Sequence, residues 1–292
     1  MTTGDAVAFH TMRISILGSG TASRELPAHF SAVAQHSAEL ALTLVNPRLS
    51  LFAATAYERL LVDVGYVDAA LEAARDGSDA ILINSFADYG LNAARAALTV
   101  PLIGAGEAAL REASADGSRP FSIVTVWPRS MSFLYEERLQ ATGLQSLCRS
   151  IRHASDEHEL HKLGHDDGVM PRMARHEPSV IASLRALCEA AVKDDGAAAI
   201  VLGCTCMAPI GELLQTGCSV PVIESSRAGL RAALVAGRAA PATAGEAKSI
   251  WSGRVSDPTL IPALVSSWTE GGARCAPPPE SDCPVCVSAT DP

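Results

Sequence analysis

Aromatic side chains are scarce in this sequence: they make up 4% of 292 residues. A core built from it must be aliphatic, drawn from the Ala, Val, Leu and Ile that dominate its 48% apolar fraction. Dense runs of Lys or Arg are missing too. With a formal net charge of −9, the chain lacks the basic surface that phosphate backbones require, which excludes nucleic acid as a partner. No apolar stretch reaches the roughly 18 residues of a bilayer-spanning helix, so no membrane association is expected. The opening MTTGDAVAFHTM has neither a basic region nor an apolar core. No secretory signal is therefore expected, and the protein is placed in the cytoplasm. Disulfide frameworks are rare in that compartment, so the 8 cysteines are expected as free thiols, catalytic groups or ligands.

What is present is a rhythm of short aliphatic strands alternating with helical stretches. RISILGSG (13–20) ends in a Gly-bearing turn, a helix-like stretch runs to about Leu44, and LSLFAA (49–54) follows. A helix then ends near DGSD (76–79), leading to AILIN (80–84), a further helix and VPLIGAG (100–106). The second half opens at RPFSIVTVW (119–127) and continues with a helix at about 130–142, an irregular polar stretch at 152–178 and a helix from about Ser179 to Lys193. AAIVLG (198–203), another helix and VPVIES (220–225) complete it. This alternation predicts an α/β fold with doubly wound, mainly parallel sheets.

The halves match in more than rhythm. DGSDAILINSFADYGL with VPLIGAGEAALREA pairs with DGAAAIVLGCTCMAPI and VPVIESSRAGLRAA. Asp76-Gly77 falls on Asp195-Gly196, and Ser85 falls on Cys204. Any two strand–helix–strand units share apolar periods, but they do not share Asp-Gly, Val-Pro and turn positions with one net gap. We therefore expect two pseudo-symmetric domains, 12–118 plus about 225–270 and 119–224, with the active site between them. A helix is expected around 258–268, and the Ala-, Pro- and Gly-rich tail at 271–292 is expected to be flexible.

Cys204 stands where a strand gives way to a helix, the end of an open parallel sheet at which ligands bind. Free N–H groups at the start of a helix favour an anion and lower a thiol's pKa. One turn thus supplies a base or nucleophile and a cradle for a carboxylate or enolate oxygen, with Thr205 adding a hydroxyl beside it. Alone, a cysteine after a strand reads as a small buried hydrophobe; the repeat, Gly203 before it and the polar turn reverse that reading. Ser85 occupies the equivalent turn, so a substrate carbon between the two would have one group on each face.

At these residues the chain resembles the aspartate/glutamate/hydantoin racemase superfamily, most of all the hydantoin racemases, over roughly residues 12–236. The carrying motifs are DGSDAILINSFADYGL with VPLIGAGEAAL, FSIVTV, and DGAAAIVLGCTCMAPI with VPVIES. The resemblance implies cofactor-independent proton transfer by two cysteines flanking an α-carbon, with no metal. Cys204 matches the second cysteine. It also implies that Ser85, Phe86, Thr205 and Thr125 hold a carboxylate or ring carbonyl, with Gly203 at the same substrate site, and that homo-oligomers are common among similar enzymes. Ser19, in GSGTAS (18–23), is expected to line the substrate cleft.

Two departures stand out. Ser85 replaces the first cysteine, and a hydroxyl cannot rest as the anion as a thiol can. Cys206 replaces a Gly usual in hydantoin racemases and is expected to pack against the helix. These residues point to a racemase or epimerase of a small amino-acid-like, carboxylate or hydantoin-like compound. The alternatives are single-cysteine decarboxylation or cis–trans isomerisation, resembling arylmalonate decarboxylases and maleate isomerases, or a catalytically silent small-acid-binding homologue. His153, His158, His161 and His165 read as a solvated segment or a flap over the cleft rather than metal ligands. Cys275, Cys283 and Cys286 read as incidental thiols. If two-base proton transfer is the reaction, Ser85→Cys is expected to raise the racemisation rate substantially. An unchanged rate in a folded variant would count against that chemistry.

Overall fold

Short runs rich in Ile, Leu and Val become strands of two parallel sheets. In the computed structural model, which describes residues 11–18, 25–35, 39–239 and 257–270, these are β1 (Met12–Leu17), β3 (Ala80–Ile83) and β4 (Leu102–Gly104) in one sheet. Their counterparts are β5 (Phe121–Thr125), β7 (Ile200–Leu202) and β8 (Val222–Glu224) in the other. Ile81, Leu82, Ile83, Ile200, Val201 and Leu202 are fully shielded, as parallel strands covered by helices on both faces must be. Each sheet gains an outer strand, β2 (Leu40–Val45) or β6 (Cys148–His153). The orders are β2-β1-β3-β4 and β6-β5-β7-β8, with every pairing parallel. The two sheets have one topology, and the expected pair of doubly wound α/β units is observed.

Both outer strands depart from the sequence-based expectation. Residues 40–45 form strand rather than the tail of a helix, and α1 covers only Ala28–Gln35. Leu40, Leu42 and Leu44 alternate along β2 and pack with Phe30 and Ile16, the period-2 pattern of a strand with one covered face. LSLFAA (49–54) is irregular chain leading into α2 (Ala56–Arg75), where Thr55 and Glu58 form a reciprocal capping box. In the second half, β6 takes the start of the stretch expected to be irregular. The remainder includes α6 (Val169–Ala174), whose Val169 and Met173 are buried in the core. The stretch expected to be irregular is thus partly ordered and packed.

Asp76-Gly77 and Asp195-Gly196, aligned in the sequence, both turn through left-handed glycines, with φ of 81° and 71°. That conformation carries little penalty without a Cβ. The halves are joined by their last helices, α4 (Ala105–Ser114) and α9 (Ser225–Ala239). Helix α9, which follows the second sheet, packs on β1, β3 and β4 of the first. Its Leu230 and Ala233 enter the core formed by Ile14, Ile16 and Leu82. Helix α4, which follows the first sheet, packs on β7 and β8, and its Ala109, Leu110 and Ala113 share a core with Phe121, Ile123 and Val201. The two helices lie against each other. Helix α10 (Leu260–Glu270) rests on α2. The expected tail, including Cys275, Cys283 and Cys286, lies outside the described residues.

Gly106, in the first turn of α4, allows that helix to approach the loop after β3. A Cβ placed there would stand 1.9 Å from the Phe86 carbonyl oxygen and 3.2 Å from an Asp88 oxygen. Gly106→Ala is therefore expected to cost roughly 1–3 kcal/mol as an overpacked core position. Thermal denaturation checks this; a wild-type Tm would show that the loop gives way without penalty.

Candidate active site

Ser85 stands two residues past the end of β3, and Cys204 two residues past the end of β7. Their turns are built alike. The Ser85 Oγ accepts the N–H of Ala87 at 3.3 Å, and the Cys204 Sγ accepts the N–H of Cys206 at 3.1 Å. The main chains repeat the likeness: Asp88 N–H donates to the Ser85 carbonyl and Met207 N–H to the Cys204 carbonyl. The turns also meet. Thr205, beside Cys204, donates its hydroxyl to the carbonyl of Asn84, beside Ser85, at 3.2 Å.

Around Ser85 the structure gathers groups that sequence reasoning missed. Three of the chain's four tyrosines converge here. The Ser85 hydroxyl lies in hydrogen-bonding reach of the Tyr89 phenol, which burial pushes up to about 12 against the opposing pull of Arg59. The Arg59 guanidinium sits over the Tyr89 ring at 5.3 Å, and the Tyr66 ring lies 5.3 Å from it. Tyr66 donates to the Gly18 carbonyl, while Tyr135 shares a 2.6 Å hydrogen bond with Thr125. Asn84 is another missed residue: its side-chain Oδ1 is buried without a hydrogen-bond partner. Four tyrosines in 292 residues leave no spacing pattern that could have revealed this cluster; the fold alone brings them together.

Cys204 differs from expectation in two ways. It is bonded to Cys206 in a disulfide, with Cα atoms 5.1 Å apart, whereas Cys206 was expected to pack against a helix and the cysteines to be free. One intervening residue and an extended Cys204 (φ −148°, ψ 135°) bring the two side chains to one side of the turn. The segment after Cys204 is moreover a six-residue 3-10 helix, Thr205–Ile210, containing Pro209. The proline removes an N–H and blocks a regular α-helical start. The anticipated helix-end field is therefore replaced by one local donor, the Cys206 N–H. Cys148, Cys188 and Cys218 are free.

The other expected site residues divide. Thr205 is 8% exposed and joins the two turns, but its proton is committed to Asn84. Thr125 is fully buried; its hydroxyl bonds Tyr135 and accepts the Trp127 N–H, so it holds Tyr135 in place. Phe86 is buried with its ring 5.3 Å from Tyr135. Gly203 is a packing position, since a Cβ would meet Ile123, Tyr135 and Thr125 at 2.9–3.1 Å. Ser19 lies outside the described residues. His153 is not part of a solvated segment: it lies on β6, where Nδ1–H donates to the Trp127 carbonyl and Nε2 accepts from Ser132. The His158 and His161 rings are tilted at 52° to each other, with centroids 5.9 Å apart.

Behind the Ser85 turn, Asp88 is buried and accepts the N–H groups of Gly106 and Glu107 at 2.9 and 2.7 Å. Arg138, from helix α5 (Ser132–Thr142) of the second half, stands 3.8 Å away. Burial pushes the Asp88 carboxyl up to about 7, against the opposing pull of Arg138 and the two N–H groups.

Two equivalent units, closed by exchanged helices and touching at their strand-end turns, define a pseudo-twofold α/β architecture. The family model for Asp/Glu/hydantoin racemase matches residues 13–233, and the chain belongs to that family. A hydantoin racemase from Pseudomonas sp. (strain NS671) is 32% identical over 175 residues, 60% of this chain and 65% of that protein. A hydantoin racemase from Rhizobium meliloti is 36% identical over 159 residues, 54% of this chain and 59% of the relative. These alignments span less than two thirds of either relative. Among solved structures, allantoin racemase from Klebsiella pneumoniae superimposes with a TM-score of 0.63 at 27% identity, covering 85% of this chain and 97% of that one. Among the described residues, no helix is long and apolar enough to cross a membrane.

Asp88 yields a test with a definite sign. Its folded-state pKa is about 7 against an ordinary 3.8, so between those values the folded chain holds a proton that the unfolded chain has released. Its contribution to stability falls as pH rises through that window. The stability of wild type minus that of Asp88→Asn is therefore expected to shrink from pH 5 to pH 7 in urea titrations. An equal difference at both pH values would overturn the assignment.

Proposed function

We propose that this chain is a cofactor-independent racemase or epimerase of a hydantoin-like ring compound, acting through Cys204 on one face of the ring carbon and Ser85 on the other. The two units are residues 12–118 with 225–270, and residues 119–224. The observation that carries the reading is the Thr205–Asn84 hydrogen bond, which joins the turns holding these two groups. Family membership and the hydantoin racemase relatives support the substrate class.

The chemistry follows from the unequal pair. A hydrogen on a ring carbon next to a carbonyl is acidified because its removal gives an enolate. In the disulfide the Cys204 sulfur accepts the Cys206 N–H; once the bond is reduced, that donor stabilises the Cys204 thiolate by a charge-assisted hydrogen bond, and the thiolate removes the proton. Ser85 is too weak an acid to rest as an anion, and Tyr89 with a pKa of about 12 also stays protonated near neutrality. Together they form a hydroxyl relay: Ser85 gives its proton to the enolate carbon and recovers one from Tyr89. In the opposite direction the relay must accept a proton, which is the slow step. For a pair of enantiomers the equilibrium constant is unity, so the asymmetry cannot appear in kcat/KM. It must appear in kcat and KM separately.

The experiment incubates reduced protein with single enantiomers of a 5-substituted hydantoin in deuterium oxide, following optical rotation and the ring-carbon proton signal. Optical activity and proton signal are expected to decay together, faster than in buffer. Cys204→Ala is expected to lose about 10²-fold or more of the rate, and Tyr89→Phe, which removes only the outer hydroxyl of the relay, roughly 10-fold, less than a group that transfers the proton directly. A Cys204→Ala rate equal to wild type would sink the reading. Carbon dioxide release from a disubstituted malonate without exchange would instead assign single-cysteine decarboxylation.

A further inference from the structure

We infer that Cys204 and Cys206 form a reversible thiol–disulfide site that takes a hydroperoxide as oxidant and a small soluble thiol as reductant, with Cys206 as the resolving cysteine. The inference begins from the bond itself. Among the described residues five cysteines are present, and the one disulfide joins the reactive position to its near neighbour. Cys204 and Cys206 are both half-exposed, so small oxidants and reductants reach them. Two of the remaining three are poorer targets. Cys188 is buried, and burial pushes its thiol up to about 12 and that of Cys148 up to about 11. Cys218 is half-exposed but free. The thiolate is the species that peroxide oxidises.

The geometry also assigns roles within the pair. In the disulfide the Cys204 sulfur accepts the backbone N–H of Cys206 at 3.1 Å; the same donor, kept beside the sulfur on reduction, favours the thiolate at Cys204. That thiolate attacks the peroxide O–O bond; with one proton, it yields Cys204 sulfenic acid and an alcohol, or water from hydrogen peroxide. The Cys206 thiol attacks the sulfenic sulfur, the S–S bond forms and water leaves. Two electrons pass from the two sulfurs to the peroxide. In reverse, a small thiol attacks Cys206 sulfur and releases Cys204 as thiolate; a second thiol then displaces Cys206 as the external disulfide forms. Across the turn contact the equivalent position is Ser85, a hydroxyl, which cannot resolve a sulfenic acid. A thiol one residue removed from Cys204 fills that need and keeps it from irreversible sulfinic and sulfonic acids.

While the bond stands, Cys204 has neither thiolate nor thiol, and proton transfer at that face is off. This consequence rests on the racemase reading, whereas the disulfide chemistry does not. The full-length reduced chain, freed of reductant, would be treated with hydrogen peroxide, its free thiols alkylated, and the peptide containing both residues weighed. In wild type this peptide is expected to lose about 2 Da and resist alkylation at both positions. Dithiothreitol should restore alkylation, and hydantoin exchange in the same sample should fall and return with it. In Cys206→Ser and Cys206→Ala the peptide is expected to gain about 32 or about 48 Da, unreversed by dithiothreitol. Wild-type peptide that gains oxygen without the 2 Da loss, or a disulfide from Cys204 to any other cysteine, would overturn the inference. Because the wild-type mass result needs neither variant nor activity, it separates this site from the proposed reaction. A reversible disulfide in a reduced chain that exchanges no substrate proton would defeat the racemase reading alone.

Discussion

The contact between α4 and α9 is where the two halves depend on each other. Each helix leaves the last strand of its own sheet and covers the other, so neither sheet has a complete apolar face without a helix from its counterpart. Small residues make the approach close: a Cβ on Gly229 would stand 2.7 Å from Leu82, and one on Gly106 would strike the Phe86 carbonyl. The second of these contacts reaches the loop that carries Ser85. Asp88 in that loop accepts two N–H groups from the start of α4 and faces Arg138 of the other half. Helix packing, a buried carboxyl and the meeting of the turns are therefore one mechanical unit, and the Thr205–Asn84 bond is its innermost link.

Much of this could be read from residues alone, and the failures follow a pattern. The duplication was visible because inner parallel strands are nearly pure aliphatic runs and because Asp-Gly and Val-Pro recur at matched turns. The equivalence of Ser85 and Cys204 also came from that alignment, and their shared capping geometry agrees with it. The elements that escaped, β2 and β6, are the same strand in the two halves. Each lies at a sheet edge, half-exposed, where polar residues are tolerated and the apolar signal thins to alternate positions. In β6, Arg149, Ser150, Arg152 and His153 mask it altogether.

The site was legible only in its backbone. A strand-end cysteine and its opposite number could be placed by register, but the tyrosines on α2, α5 and the loop after β3 come together through tertiary packing that no local window contains. Thr125 and Gly203 were expected at a substrate; instead one anchors Tyr135 and the other makes room for it. The disulfide was unreadable for a different reason. Compartment argues against cross-links in general, but a pair separated by one residue answers to local chain geometry rather than to the demands of a stabilising framework. With Cys206 so near, loop closure constrains little of the unfolded chain, so the bond adds little to stability.

The exchanged helices give the molecule the internal arrangement of a symmetric dimer carried on a single polypeptide. In a true dimer of identical subunits, a change at one strand-end turn appears at both, and the paired groups are bound to stay the same. A covalently joined pair is released from that rule. Each turn can acquire its own residue while the frame that aligns them is kept by both halves in common. A hydroxyl beside a phenol at one turn and a disulfide-bonded pair of cysteines at the other is an asymmetry open to the joined form and closed to the symmetric one.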